Sequence, residues 1–80
     1  MWQANVSPWS RHMKISARNV LAGKIVDVKK GATTAHVRID VGGTIVTASI
    51  TNEAVDELAL KPGMAASAVI KSSDVMVAVE

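Results

Sequence analysis

The combination of 80 residues with no cysteine is the feature that most limits what this chain can fold into. A domain of this size buries only about 60% of the surface that its unfolded chain exposes, so its own core is only marginally stable. Disulfides and structural metals are the usual remedies, but cysteine is absent and the two histidines, His12 and His36, lie far apart in the sequence. We therefore expect the chain to gain stability by oligomerisation.

Composition narrows the class of protein further. The net charge of +2 is too small to indicate nucleic acid or a membrane surface as a partner, although it tolerates an anionic ligand. No apolar run approaches the roughly 20 residues that span a bilayer. Residues 1–12 also lack the basic start, apolar stretch and cleavage site of a secretory signal. The sequence thus predicts a cytoplasmic protein.

Residues 1–12 differ from the rest of the chain because they are polar, non-periodic and interrupted by Pro8. We interpret them as an N-terminal extension, either disordered or introduced with an expression vector, and residues 13–80 as the folded domain. A second interpretation is that Trp2 and Trp9 dock on a partner. The sequence does not decide between the two.

The apolar pattern of residues 13–80 predicts five short strands and one short helix. Gly42 and Gly43 separate two alternating segments and indicate a tight hairpin. Thr51 or Asn52 is expected to cap a helix of one or two turns, and the segment 61–64 is expected to form a turn. The predicted strands are Leu21–Lys29, Ala35–Val41, Thr44–Thr51, Ala65–Lys71 and Val75–Val79. This pattern favours an all-β domain with one short helix, arranged as a small five-stranded Greek-key barrel of the OB type.

Motifs typical of an enzyme site are missing from the sequence. No nucleophile motif, glycine-rich phosphate loop or pair of histidines at metal-ligand spacing is present. His36 falls on the polar face of its predicted strand, where an exposed histidine is the simplest interpretation. We therefore predict that the chain is not an enzyme.

Two clusters are instead rich in donors for an anion: Ser16-Ala17-Arg18-Asn19 before the first strand and Lys71-Ser72-Ser73 after the fourth. A tetrahedral oxyanion such as molybdate is a dianion with only acceptor oxygens, so its site needs N–H groups, O–H groups and positive charge. The same residues are also typical of helix caps and exposed turns. Residue types and spacing alone leave both interpretations open.

Five ordered segments carry a family resemblance. They are Ser16-Ala17-Arg18-Asn19, Gly23-Lys24-Ile25-Val26, Lys29-Lys30-Gly31, residues 57–63 (ELALKPG) and residues 69–76 (VIKSSDVM). Together they resemble the molbindin (Mop) family, whose members are free-standing forms of the TOBE-type domain. The resemblance extends from Met13 to Glu80.

This resemblance implies an OB-like barrel that assembles as a hexamer, a trimer of dimers, and stores or buffers molybdate or tungstate at subunit interfaces. It implies no covalent cofactor. The oxyanion ligands that it implies are Ser16, Ala17 through its main-chain N–H, Arg18, Asn19, Lys71, Ser72 and Ser73. A weaker second site near the threefold axis would involve Lys30 and Gly31.

An alternative function is an interaction module, in which a TOBE-like or OB-like domain joins a molybdate transporter or regulator without a storage role of its own. Nucleic acid is a poorer match for such a module, because the predicted strands carry no aromatic residues on which bases could stack.

Overall fold

The computed structural model describes residues 18–80, which form a curled antiparallel sheet with one short helix. The sheet has four strands in the order β3-β2-β1-β4. The elements in chain order are β1 (Asn19–Lys30), β2 (Thr34–Asp40), β3 (Ile45–Thr51), α1 (Asn52–Glu57), β4 (Ala65–Ile70) and a 3-10 turn (Ser72–Asp74). The predicted extension at residues 1–12, with Trp2 and Trp9, lies outside the described residues.

The long strand β1 pairs with two neighbours. Its first half is antiparallel to β4, from Asn19 opposite Ile70 to Lys24 opposite Ala65, and its second half is antiparallel to β2. The two ladders meet at Lys24, and a bulge at Val26 lies within the β1–β2 ladder, because Ile25 pairs with Ile39 whereas Asp27 pairs with Arg38. A bulge adds one residue to a strand and bends it, which helps the sheet to curl.

Close packing of β1 against β2 explains Gly23. A Cβ atom at this position would lie 2.3 Å from the main-chain oxygen of Asp40, a distance that real side chains do not tolerate. Glycine is therefore required where β1 passes from one neighbour to the other.

The buried core is small and entirely aliphatic. Alternate residues of β2 supply half of it, as the period-2 pattern of residues 35–41 predicted. The buried side chains are Ile25, Ala35, Val37, Ile39, Val55 and Ala68. Val55 is the buried residue of α1. Thr51 caps the start of this helix, because its side-chain oxygen accepts a hydrogen bond from the N–H of Ala54 at 3.0 Å.

The hairpin between β2 and β3 forms at the predicted glycines. Gly42 and Gly43 have positive φ angles of 99° and 98°, a region that glycine enters without steric cost. The N–H groups of both glycines donate to the Asp40 carboxylate, at 3.0 and 2.7 Å. The Asp40 side chain therefore stabilises the turn.

The prediction of a fifth strand at Val75–Val79 is wrong for the chain as described, since residues 18–80 form four strands. The 3-10 turn follows β4, and the segment after it stays largely exposed, with Val77 89% and Val79 91% accessible. A strand needs a neighbouring edge for its main-chain groups, and alternation along the sequence does not supply that edge. The sheet is consequently an open half-barrel and not a closed five-stranded barrel.

Candidate functional site

The two predicted donor clusters meet at one end of the β1–β4 ladder. Asn19, the first residue of β1, lies opposite Ile70, the last residue of β4. The side-chain amide Nδ2 of Asn19 donates to the main-chain oxygen of Ile70 at 3.2 Å, joining positions that are 51 residues apart in the sequence. Arg18 precedes this pair and Lys71 follows it, so antiparallel pairing places the two cationic segments side by side.

The serines of the second cluster belong to the 3-10 turn beyond β4. Lys71 is extended, with φ −66° and ψ 137°, and it precedes the turn. The N–H of Asp74 donates to the Lys71 oxygen at 2.9 Å, and the N–H of Val75 donates to the Ser72 oxygen at 3.3 Å. The first N–H groups of a helical turn have no acceptor inside it, so Ser72 and Ser73 add main-chain donors to their hydroxyls.

Exposure shows how open this donor cluster is. Arg18, Lys71, Ser72 and Ser73 are exposed, and Asn19 is half-buried. Within residues 18–80, neither Arg18 nor Lys71 forms an ion pair with a carboxylate. The cluster can therefore offer two cations and several neutral donors to an anion, but one copy of the chain provides only one wall around it.

Ser16 and Ala17, the other predicted oxyanion ligands, lie outside the described residues. Their role remains a prediction.

The weaker second-site residues, Lys30 and Gly31, lie at the opposite end of β1. A strand rises about 3.3 Å per residue, so roughly 35 Å of strand separates them from Asn19. Lys30 Nζ pairs with the Asp56 carboxylate at 2.5 Å, and the N–H of Gly31 donates to the Thr34 oxygen at 2.7 Å. Lys30 and Gly31 therefore lie far from the donor cluster at Asn19, and the Lys30 ammonium and the Gly31 N–H already bond to acceptors of the protein.

Asn52 is the residue at this second end that sequence reasoning missed. Its Nδ2 donates to the Gly31 oxygen at 2.9 Å, and its main-chain N–H donates to the Thr33 oxygen, also at 2.9 Å. Its Oδ1 is buried without a hydrogen-bond partner among the described residues. The sequence favoured Thr51 and Asn52 equally as helix caps, and nothing in it marked a contact with the loop at Gly31.

Residues 18–80 contain no group of three or more His, Cys, Asp or Glu side chains that could hold a metal ion. None of their helices is long and apolar enough to cross a membrane.

Comparison with known proteins adds independent information. The TOBE domain model matches residues 15–77 of the chain. Molybdenum-pterin-binding protein 1 of Clostridium pasteurianum is 50% identical over 66 residues, which are 81% of this chain and 97% of that protein.

Two solved structures share the fold. MopII from Clostridium pasteurianum matches with a TM-score of 0.77 and 46% identity, covering 82% of this chain and all (100%) of MopII. The cytoplasmic molybdate-binding protein ModG, solved with molybdate bound, matches with a TM-score of 0.79 and 48% identity. That match covers 84% of this chain and 48% of ModG.

Proposed function

Because this chain belongs to the TOBE domain family, among the molybdenum-pterin-binding (Mop) proteins, we propose that it binds molybdate or tungstate reversibly as a free oxyanion. The observation that carries the proposal is the meeting of the two donor clusters at the Asn19–Ile70 pair. The names of the relatives describe binding and not catalysis, in agreement with the prediction that the chain is not an enzyme.

The proposed ligands follow from the chemistry of the anion. Molybdate brings two negative charges and four acceptor oxygens, which Arg18 and Lys71 can neutralise while hydroxyl and amide groups donate hydrogen bonds. We assign Arg18, Asn19, Lys71, Ser72 and Ser73 to this site, together with Ser16 and the main-chain N–H of Ala17. Asn19 keeps a second amide N–H for the anion, because its contact with Ile70 uses only one of the two.

The required affinity indicates that more than one copy contributes. Micromolar binding corresponds to about 8 kcal/mol, and a hydrogen bond to a charged group contributes about 1.5–3 kcal/mol. About three to five donors must therefore converge on the anion, whereas the exposed donor cluster of one copy forms only one wall and leaves the opposite side to solvent. We therefore propose sites at subunit interfaces of a hexamer, built as a trimer of dimers.

The second site at Lys30 and Gly31 is a weaker proposal. An anion there would compete with the Asp56 carboxylate for the Lys30 ammonium. Any such site should fill only after the site at Arg18.

The proposed role is intracellular storage or buffering of molybdenum. A reversible, non-covalent site suits a store, because the anion can be released without chemistry. The structural relative ModG is described as cytoplasmic, and we propose the same compartment for this chain.

Titration calorimetry with molybdate, tungstate and sulfate, combined with light scattering, tests the proposal. We expect saturable heat with molybdate or tungstate on an oligomer, and none with sulfate. The variant Arg18→Ala should weaken binding at least tenfold, while Lys24→Ala, which removes an exposed cation from the middle of β1, should not. A folded protein that gives no heat with either metal oxyanion would reject storage and leave the interaction module.

A further inference from the structure

The outer face of the sheet, which lies opposite the core, carries charged side chains that take no part in the proposed oxyanion site. His36 and Arg38 point to this face because the residues that alternate with them in β2 are buried in the core. In the antiparallel register, His36 lies opposite Lys29 of β1 and Ser49 of β3. Side chains directly opposite one another have Cβ atoms about 4.5–5.5 Å apart, so these three residues form one row across the sheet.

A second row runs beside the first. Arg38 lies opposite Asp27 of β1 and Thr47 of β3. Successive side chains on one face of a strand are roughly 7 Å apart, so the two rows are neighbours. Together they form an outer patch of six residues: Asp27, Lys29, His36, Arg38, Thr47 and Ser49.

The outer patch has more positive than negative charge. All six of its side chains are exposed. Within residues 18–80 the one ion pair joins Lys30 to Asp56, so Lys29 and Arg38 have no carboxylate partner in that part of the chain. Asp27 is the one carboxylate of the patch, beside two cations, an imidazole and two hydroxyl groups. The patch therefore presents mainly hydrogen-bond donors and positive charge.

The surroundings of the patch add to this charge. Lys24 lies on the same face of β1 and is exposed. Its register partner is Asp40, whose carboxylate already accepts hydrogen bonds from the N–H groups of Gly42 and Gly43, at 3.0 and 2.7 Å. A third cation is thus available beside the patch.

The shape of the patch decides which kind of anion fits it. All six groups lie on an exposed face of the sheet, so a small anion would contact only one or two of them, and an isolated exposed ion pair contributes little. A large acidic surface contacts both rows at once, and complementary charge steers it into place. Nucleic acid is also acidic, but the patch has no aromatic side chain on which a base could stack.

We propose that the outer patch docks an acidic segment of another protein, with its cations facing carboxylates and its hydroxyl groups donating hydrogen bonds. Lys29 lies near the opposite end of β1 from Asn19, so roughly 30 Å of strand separates the patch from the donor cluster. The protein can therefore hold an oxyanion and a partner at the same time. The docking goes beyond the proposed storage of the oxyanion and does not depend on it.

Binding of an acidic peptide tests the docking. The probe is a decaglutamate peptide labelled with fluorescein, and fluorescence anisotropy at low ionic strength measures its binding. We expect saturable binding that salt weakens, and the double variant Lys29→Gln/Arg38→Gln should weaken it roughly tenfold or more. The matched control Arg18→Gln/Lys71→Gln removes the same residue types from the donor cluster and should weaken it less than about twofold. Equal losses, or no binding by the natural protein, would overturn the docking.

Two further measurements distinguish other occupants of the patch. A decathymidylate oligonucleotide that binds more tightly than the peptide, and loses its binding in Lys29→Gln/Arg38→Gln, would identify nucleic acid as the occupant. A smaller oligomer of this variant in light scattering would mean that the outer face joins copies of the chain. Either result would overturn the proposal, whereas an unchanged oligomer that prefers the peptide supports it.

Titration with molybdate keeps docking and oxyanion binding separable. Arg18→Gln/Lys71→Gln should lose molybdate and keep the peptide, whereas Lys29→Gln/Arg38→Gln should lose the peptide and keep molybdate. A protein that binds the peptide through the patch but binds no molybdate would preserve the docking and reject the oxyanion site. The reverse result would preserve the oxyanion site and reject the docking.

Discussion

The two ends of β1 carry similar residue types but differ in whether those residues already have partners. At the Asn19 end, Arg18 and Lys71 are exposed and form no ion pair within the described residues. At the Lys30 end, the ammonium group pairs with Asp56, and Asn52 and Thr34 hold the loop at Gly31. The difference teaches that a cation near a turn indicates an anion site only if no carboxylate of the protein neutralises it first.

The largest effect that tests this comparison is a change in affinity. Lys71→Ala should weaken molybdate binding by roughly 10- to 150-fold, because a hydrogen bond to a charged group contributes about 1.5–3 kcal/mol. Lys30→Ala removes the same kind of side chain at the other end and should change the affinity of the tighter site less than twofold. Titration calorimetry measures both, and equal losses would remove the distinction between the two ends.

A smaller effect is expected on stability at the Lys30 end. Asn52→Ala removes the hydrogen bond to the Gly31 oxygen, so we expect the free energy of unfolding to fall by about 1 kcal/mol. Urea denaturation measures the change, and molybdate affinity should stay the same once the protein is folded. An affinity loss as large as that of Lys71→Ala would show that the two ends are coupled.

The smallest effect concerns the ion pair itself. The side chains of Lys30 and Asp56 are 46% and 66% exposed, and an exposed pair contributes about 0.2–1 kcal/mol. Asp56→Asn should lower stability within that range, and the difference from the natural protein should shrink in high salt. A difference that is large and independent of salt would mean that Asp56 acts through contacts other than this pair.

Local patterns in the sequence predicted much of the fold. Alternation identified β2 and its buried face, the two glycines identified the hairpin, and Thr51 was one of two expected helix caps. Each of these features depends on residues that are close in the sequence. The strand predicted at Val75–Val79 does not form in the described structure. A strand needs an unpaired edge of the sheet as its neighbour, and the alternation of apolar and polar residues carries no information about that edge.

The candidate site shows the same limit. Residue types selected Arg18, Asn19 and the segment 71–73, but only the pairing of Asn19 with Ile70 brings the two segments together. The pairing of Lys30 with Asp56 could not be predicted either, because it depends on where α1 packs relative to the end of β1. Long-range geometry thus decides which of the predicted donors are available.

The bulge at Val26 also determines which changes in chain length the domain can accept. Because Ile25 pairs with Ile39 and Asp27 with Arg38, Val26 is an extra residue, and its removal would leave both flanks of β1 in their present pairing as a regular ladder. A deletion away from the bulge, for example within residues 19–24, has no extra residue to remove and would turn the side chains on one side of it to the opposite face of the sheet. Changes in chain length should accordingly be tolerated in the glycine hairpin and, as a single deletion, at the bulge, but not elsewhere in β1.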